Sequence, residues 1–144
     1  MTAVRVFMSF DLSCDEDLKE RLLGESLNSL SGFEVVGCSE PAELTDSWRE
    51  RVRHRIGLAD EVIFICGEHT EESVQVSAEI RIAQEEQKPY FLLWGRREAM
   101  CTKPVGAKPS EGMYCWTSSI LRDQIAVTLR LAWSREIPDR CKRR

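Results

Sequence analysis

EVIFICGEHTEESVQVSAEIRIAQEEQ, residues 61–87, joins a short apolar run to an amphipathic segment, and that junction sets the class of fold. Val62-Ile63-Phe64-Ile65-Cys66 has polar residues on either side and is too short for a helix, as expected of a strand buried on both faces. A helix opening near Ser73 places Val76, Ile80 and Ala83 on one stripe, at about 100° per residue. Glu79 falls inside that apolar arc. A carboxylate there costs free energy unless it is paired or used. It bends out to water at the helix flank, pairs with an arginine such as Arg81 or Arg55, or serves a site.

Outward from this unit the chain alternates strand and helix. Val4 to Phe10 is apolar on both alternating sets and reads as a central strand. Ser13 and Glu16 have capping-box spacing, and Leu18, Leu22, Leu23, Leu27 and Leu30 recur at helical spacing, giving a first helix over about 14–29. Phe33 to Cys38 is a more polar strand, nearer an edge. After the loop Ser39 to Asp46, a second possible capping box, Ser47 and Glu50, opens a helix to Leu58 with Trp48, Val52, Ile56 and Ala59 on one face. Its other face carries Arg49, Arg51, Arg53, His54 and Arg55, a charge run suited to solvent.

Downstream, Lys88-Pro89 stops the third helix and Tyr90 to Trp94 is a fourth strand. Gly95 to Gly112 is a polar connection long enough to suggest a functional or mobile segment. Met113 to Thr117 is a candidate fifth strand. Ile120, Gln124, Val127, Leu131 and Trp133 suggest a closing helix, and the basic residues 137–144 a frayed tail. The expectation is one α/β domain over 1–136, a three-layer, flavodoxin-like sandwich. Its five-stranded parallel sheet takes the order 2-1-3-4-5, with helices on both faces.

Composition narrows the function classes. The chain has 144 residues, one domain's length, with 20 Lys and Arg against 24 Asp and Glu. No basic stripe interleaves with aromatics, which disfavours nucleic-acid binding. Neither a signal peptide nor a membrane span is expected, which places the protein in the cytoplasm. The six cysteines lack C-x-x-C or Cys/His ligand spacing, so neither a metal nor a disulfide framework is expected.

In a sheet of this order ligands bind beyond the carboxyl ends of the strands, where the order reverses between strands one and three. That crevice gathers Phe10-Asp11-Leu12-Ser13 and Gly67-Glu68-His69-Thr70. Helix starts at Ser13 and Ser73 would aim N–H groups at it, a setting that suits phosphates. Glu79 lies about 9 Å along the third helix from Ser73, within reach of the rim. His69, without a visible acidic partner, reads as a surface residue. No aspartate ends strand three, which disfavours a phosphoacceptor receiver.

RVFMSFDLSCDEDL near the start, Trp48 opening helix two, ADEVIFICGEHTEESVQVSAEI and Lys88-Pro89 resemble the TIR-like proteins, including the TIR component (ThsB-type) of bacterial Thoeris antiviral systems. The resemblance spans about Arg5 to Trp116, through the order and spacing of Ser9-Phe10, Trp48, Gly67, Thr70, Glu79 and Lys88-Pro89. It implies a TIR fold in which Glu79 cleaves the nicotinamide–ribose bond of NAD. It also implies a cyclic or related ADP-ribose signal to a separate effector protein, and self-association through TIR surfaces. Ser9, Phe10, Asp11, Trp48, Thr70 and Ser73 are the candidate substrate contacts. NAD would be substrate, with no other cofactor. The family often has tryptophan beside the catalytic glutamate, whereas Gln75 and Ala78 stand here.

One carboxylate can suffice for this chemistry, because nicotinamide leaves its cationic form as a neutral molecule and needs no protonation. Glu79 would bind ribose hydroxyls and steady the developing oxocarbenium charge. For Phe10 and Trp48, core packing is the competing reading. Two other classes compete with the enzyme: a TIR-like interaction or sensing module without turnover, and a deoxyribosyltransferase-like nucleoside enzyme.

Overall fold

The computed structural model describes residues 3–28, 30–41 and 43–136, with side chains followed to residue 131. Five parallel strands, β1 (Val4–Ser9), β2 (Phe33–Cys38), β3 (Glu61–Cys66), β4 (Tyr90–Trp94) and β5 (Met113–Cys115), form one sheet of order β2-β1-β3-β4-β5. Helices α1 (Glu16–Ser26) and α4 (Ser118–Glu136) cover one face, and α2 (Asp46–Leu58) and α3 (Val74–Glu85) the other. The basic tail expected at 137–144 lies outside the described residues.

β3 shows why the sheet is central. All six of its residues are buried. Val62, Phe64 and Cys66 pack with Trp48, Val52 and Ile56 of α2 and Val76, Ile80 and Ala83 of α3. Ile63 and Ile65 pack with Leu18 and Leu22 of α1 and Leu121 and Ile125 of α4. Each such side chain contributes roughly 1.5–3 kcal/mol through burial. At the first position of β3, Glu61 is also fully buried; its carboxylate has no partner among the described residues, and burial pushes its pKa up to about 9.

Several boundaries differ from those the sequence suggests, for local reasons. The Ser13–Glu16 capping box does not form. Asp11 Oδ1 accepts from Ser13 N–H at 3.0 Å and Asp11 O accepts from Cys14 and Asp15, so a turn precedes α1 and Asp15 becomes its N-cap. In α2 the cap is Thr45, whose Oγ1 accepts from Trp48 N–H at 3.1 Å, while Ser47 takes Arg51. Leu27 and Leu30, read as part of the apolar stripe of α1, are exposed because that helix ends at Ser26. In α4 the buried positions are Leu121, Ile125 and Thr128 rather than Ile120, Gln124 and Leu131. β1 ends at Ser9 and β5 at Cys115, each short of the expected run.

Residues 95–112 form the β4–β5 crossover without a helix, yet are tied along their length. Thr102 N–H donates to Gly67 O at 2.9 Å, Ser77 Oγ to Val105 O at 3.0 Å and Gln84 Nε2 to Gly106 O at 2.9 Å. Cys101 and Pro104 are buried. The segment thus lies against the flank of α3, where a crossover helix would otherwise pack. The arginines of α2 are also used within the fold: Arg53 meets Glu50, Glu85 and Glu86, and Arg51 and Arg55 both meet Glu40. Among the described residues no helix is long and apolar enough to cross a membrane, and Cys14, Cys38, Cys66, Cys101 and Cys115 are free thiols.

Candidate functional site

The site is built where β1 and β2 end beneath the first turns of α3. Met8 pairs with Cys38 across the two strands, so the next residues, Ser9 and Ser39, come side by side. Ser39 N–H donates to Met8 O at 3.0 Å and Ser39 Oγ accepts from Phe10 N–H at 3.1 Å, which locks the second serine in place. Opposite them stands Glu79, on the inner face of α3 with none of its surface exposed. Its Oε1 accepts from Ser9 Oγ at 2.5 Å, Ser39 Oγ at 2.7 Å and Gln75 Nε2 at 2.8 Å.

The other oxygen, Oε2, is buried without a partner among the described residues. Neither Arg55, which is paired with Glu40, nor any other cation reaches the carboxylate among the described residues. Burial pushes the Glu79 pKa up to about 7, although Ser9, Ser39 and Gln75 pull it back in part by bonding the anion. Structural carboxylates this deep are ordinarily neutralised by a cation; three neutral donors on one oxygen leave the group divided between its two protonation states near neutrality.

Above Glu79 lies a cleft of about 450 Å³, lined by Asp11, Ser13, Cys14, His69, Glu72, Ser73, Val74 and Gln75. It sits beyond the carboxyl ends of β1 and β3, the place where the strand order reverses. Gln75 both lines the cleft and bonds the buried Glu79. Its amide nitrogen donates to Phe10 O at 3.1 Å as well as to Glu79, and its oxygen faces Leu12 N–H at 3.5 Å.

The remaining expected contacts divide plainly. Asp11 and Ser73 line the cleft, with Ser73 Oγ also capping α3 by accepting from Val76 N–H. Thr70 is buried; its Oγ1 accepts from Gly67 N–H at 2.8 Å and so shapes the β3–α3 turn. Phe10 and Trp48 have no exposed surface and pack in the two opposite core clusters, and neither is among the residues that line the cleft.

The phosphate setting expected at two helix starts is reduced to one. Asp15 replaces Ser13 at the head of α1, and its carboxylate is directed to Arg96 at 2.9 Å. Among the described residues no lysine or arginine lines the cleft, while Asp11 and Glu72 do. His69 has an acidic partner after all, Glu72 at 3.1 Å, which holds its pKa above the usual value. The Cys14 thiol is pushed up by desolvation and then by Asp11, Asp15 and Glu72.

Sequence reasoning passed over two residues that touch Glu79. Gln75 stands four positions before it and therefore on the same helical face, a signal that was available. Ser39 follows β2 in a polar loop, and only the pairing of β1 with β2 brings it to Ser9.

No protein-family model and no curated protein matches the chain. Among solved structures, the crystal structure of a prokaryotic SEFIR domain is similar over 91% of this chain and 93% of its own, with 23% identity and a TM-score of 0.54. At that identity the likeness speaks for the fold, which is TIR-like and flavodoxin-like.

Proposed function

We propose that this TIR-like chain cleaves the nicotinamide–ribose bond of NAD with Glu79, producing a cyclic or related ADP-ribose signal for a separate effector in a Thoeris-type antiviral response. The observation that carries this is the deep, cation-free carboxylate under a switch-point cleft, with a pKa lifted to about 7 and one oxygen unbonded. Groups perturbed in this way concentrate at functional sites. The acidic rim of Asp11 and Glu72 suits the cationic nicotinamide ring, and the phosphates would run outward from the cleft.

In the bond-breaking step the ribose–nitrogen pair leaves with nicotinamide, which departs neutral, and positive charge develops on the ribose. Ionised Glu79 stabilises that cation electrostatically, an effect strengthened by its dry surroundings. Water or a nucleophilic atom of the same ADP-ribose then completes the reaction, giving the open or the cyclic product. Because the anion is the working form, kcat/KM rises with pH and levels off above about 7.

The test is incubation of concentrated protein with NAD, with and without a crowding agent, followed by nicotinamide and product analysis. Release that increases with protein concentration and disappears in Glu79→Gln supports the proposal. Binding of NAD with no release at any concentration would favour a silent interaction module, a reading that the full enclosure of Glu79 and the likeness to a SEFIR domain also support. Base exchange on nucleosides would favour a deoxyribosyltransferase-like enzyme.

A further inference from the structure

We infer that Gln75 is a positioning residue that covers Glu79, and that a ligand in the cleft reaches the carboxylate only when this amide turns aside. The inference rests on the proposed role of Glu79 for its functional meaning, but not for its geometry. Gln75 is the residue that both lines the cleft and bonds Glu79. Its amide protons go to Phe10 O at 3.1 Å and Glu79 Oε1 at 2.8 Å, and its oxygen faces Leu12 N–H at 3.5 Å. One side chain therefore ties α3 to the segment that follows β1 and stands between the cleft it lines and the acid it bonds.

The remaining contacts of Glu79 come from below. Ser9 and Ser39 approach from the ends of β1 and β2, and both stay in place if Gln75 rotates. Oε1 then keeps two donors, and the carboxylate, whose Oε2 has none, gains room for a donor from the cleft side. Ribose hydroxyls are the kind of donor that would satisfy it. Gln75 stands in the first turn of α3, where rotation about its own side-chain bonds removes it without moving the helix. A site that is competent only in the open arrangement has its apparent affinity reduced by the open fraction.

Two substitutions separate cover from hydrogen bonding. Gln75→Met keeps the bulk and loses the amide, while Gln75→Ala loses both. The first readout needs no substrate: the midpoint of the Glu79 carboxyl titration, followed by carbon NMR. In Gln75→Ala water enters, so the midpoint falls from about 7 by roughly one unit. In Gln75→Met the carboxyl stays dry and a donor is gone, so the midpoint rises. The charge of Glu40, which also raises the Glu79 pKa, is common to both variants.

The second readout is NAD turnover. Gln75→Ala should raise kcat/KM about threefold or more, chiefly by lowering KM, while Gln75→Met should not. Midpoints that rise together in the two variants would overturn the gate. Opposite shifts without nicotinamide release from any form, native protein included, would support the gate and sink the NAD proposal, so the two failures are distinguishable.

Discussion

Glu79 links the site to stability through its proton. Its folded-state pKa, about 7, lies above the ordinary 4.5, so the folded chain holds the proton more tightly than the unfolded one. The contribution is complete below pH 4.5, declines as pH rises, and is lost above about 7. That loss is on the order of 3 kcal/mol. The difference in melting temperature between Glu79→Gln and the native chain should therefore shift in favour of the variant between about pH 5 and about pH 8. A difference independent of pH would refute this. Gly67 gives a second test at the same scale. A Cβ there would stand 2.3 Å from Oδ2 of Asp15, a buried carboxylate that Arg96 holds through its other oxygen, Oδ1. Gly67→Ala should cost roughly 2 kcal/mol in urea unfolding, and Asp15→Ala in the same chain should recover part of it. Strict additivity of the two substitutions would show that the steric account is wrong.

Among the elements, those defined by uninterrupted apolar runs were legible. β3 and β4 occupy the expected residues because their burial is carried by consecutive side chains, and β2 does so although Phe33 is its one buried residue. Helix starts were less so, since Asp11, Thr45 and Ser47 each offer a local oxygen and the winner is decided by turn geometry. The hardest segment was 95–112. Its pins come from Ser77 and Gln84 on α3, and no local pattern records them. Ser77→Ala with Gln84→Ala should speed amide hydrogen exchange across 103–111 while leaving the β3 amides protected. Unchanged exchange in that segment would mean that the Thr102–Gly67 backbone bond and the buried Cys101 and Pro104 hold it without those two side chains.

Across the whole molecule, strand order was recoverable because alternating strands and helices admit few compact solutions. The crevice could be placed from that order, but the occlusion of Glu79 could not, since it depends on side chains from β1, β2 and α3 meeting. The sheet leaves β2 and β5 as edges. At β2 Val6 pairs with Val35 and Phe7 with Gly37, so Val36 is an extra residue that disturbs the ladder. Such a bulge discourages open-ended pairing of edges between copies. The buried carboxyl of Glu61 has a consequence visible without any ligand. The sequence gives an isoelectric point near 5.3 by counting every acid as exposed. At that acidity the folded chain retains protons on Glu61 and Glu79, whose pKa values are about 9 and about 7. In a focusing gel the native protein should therefore band at higher pH than the same chain in concentrated urea, where both acids surrender their protons.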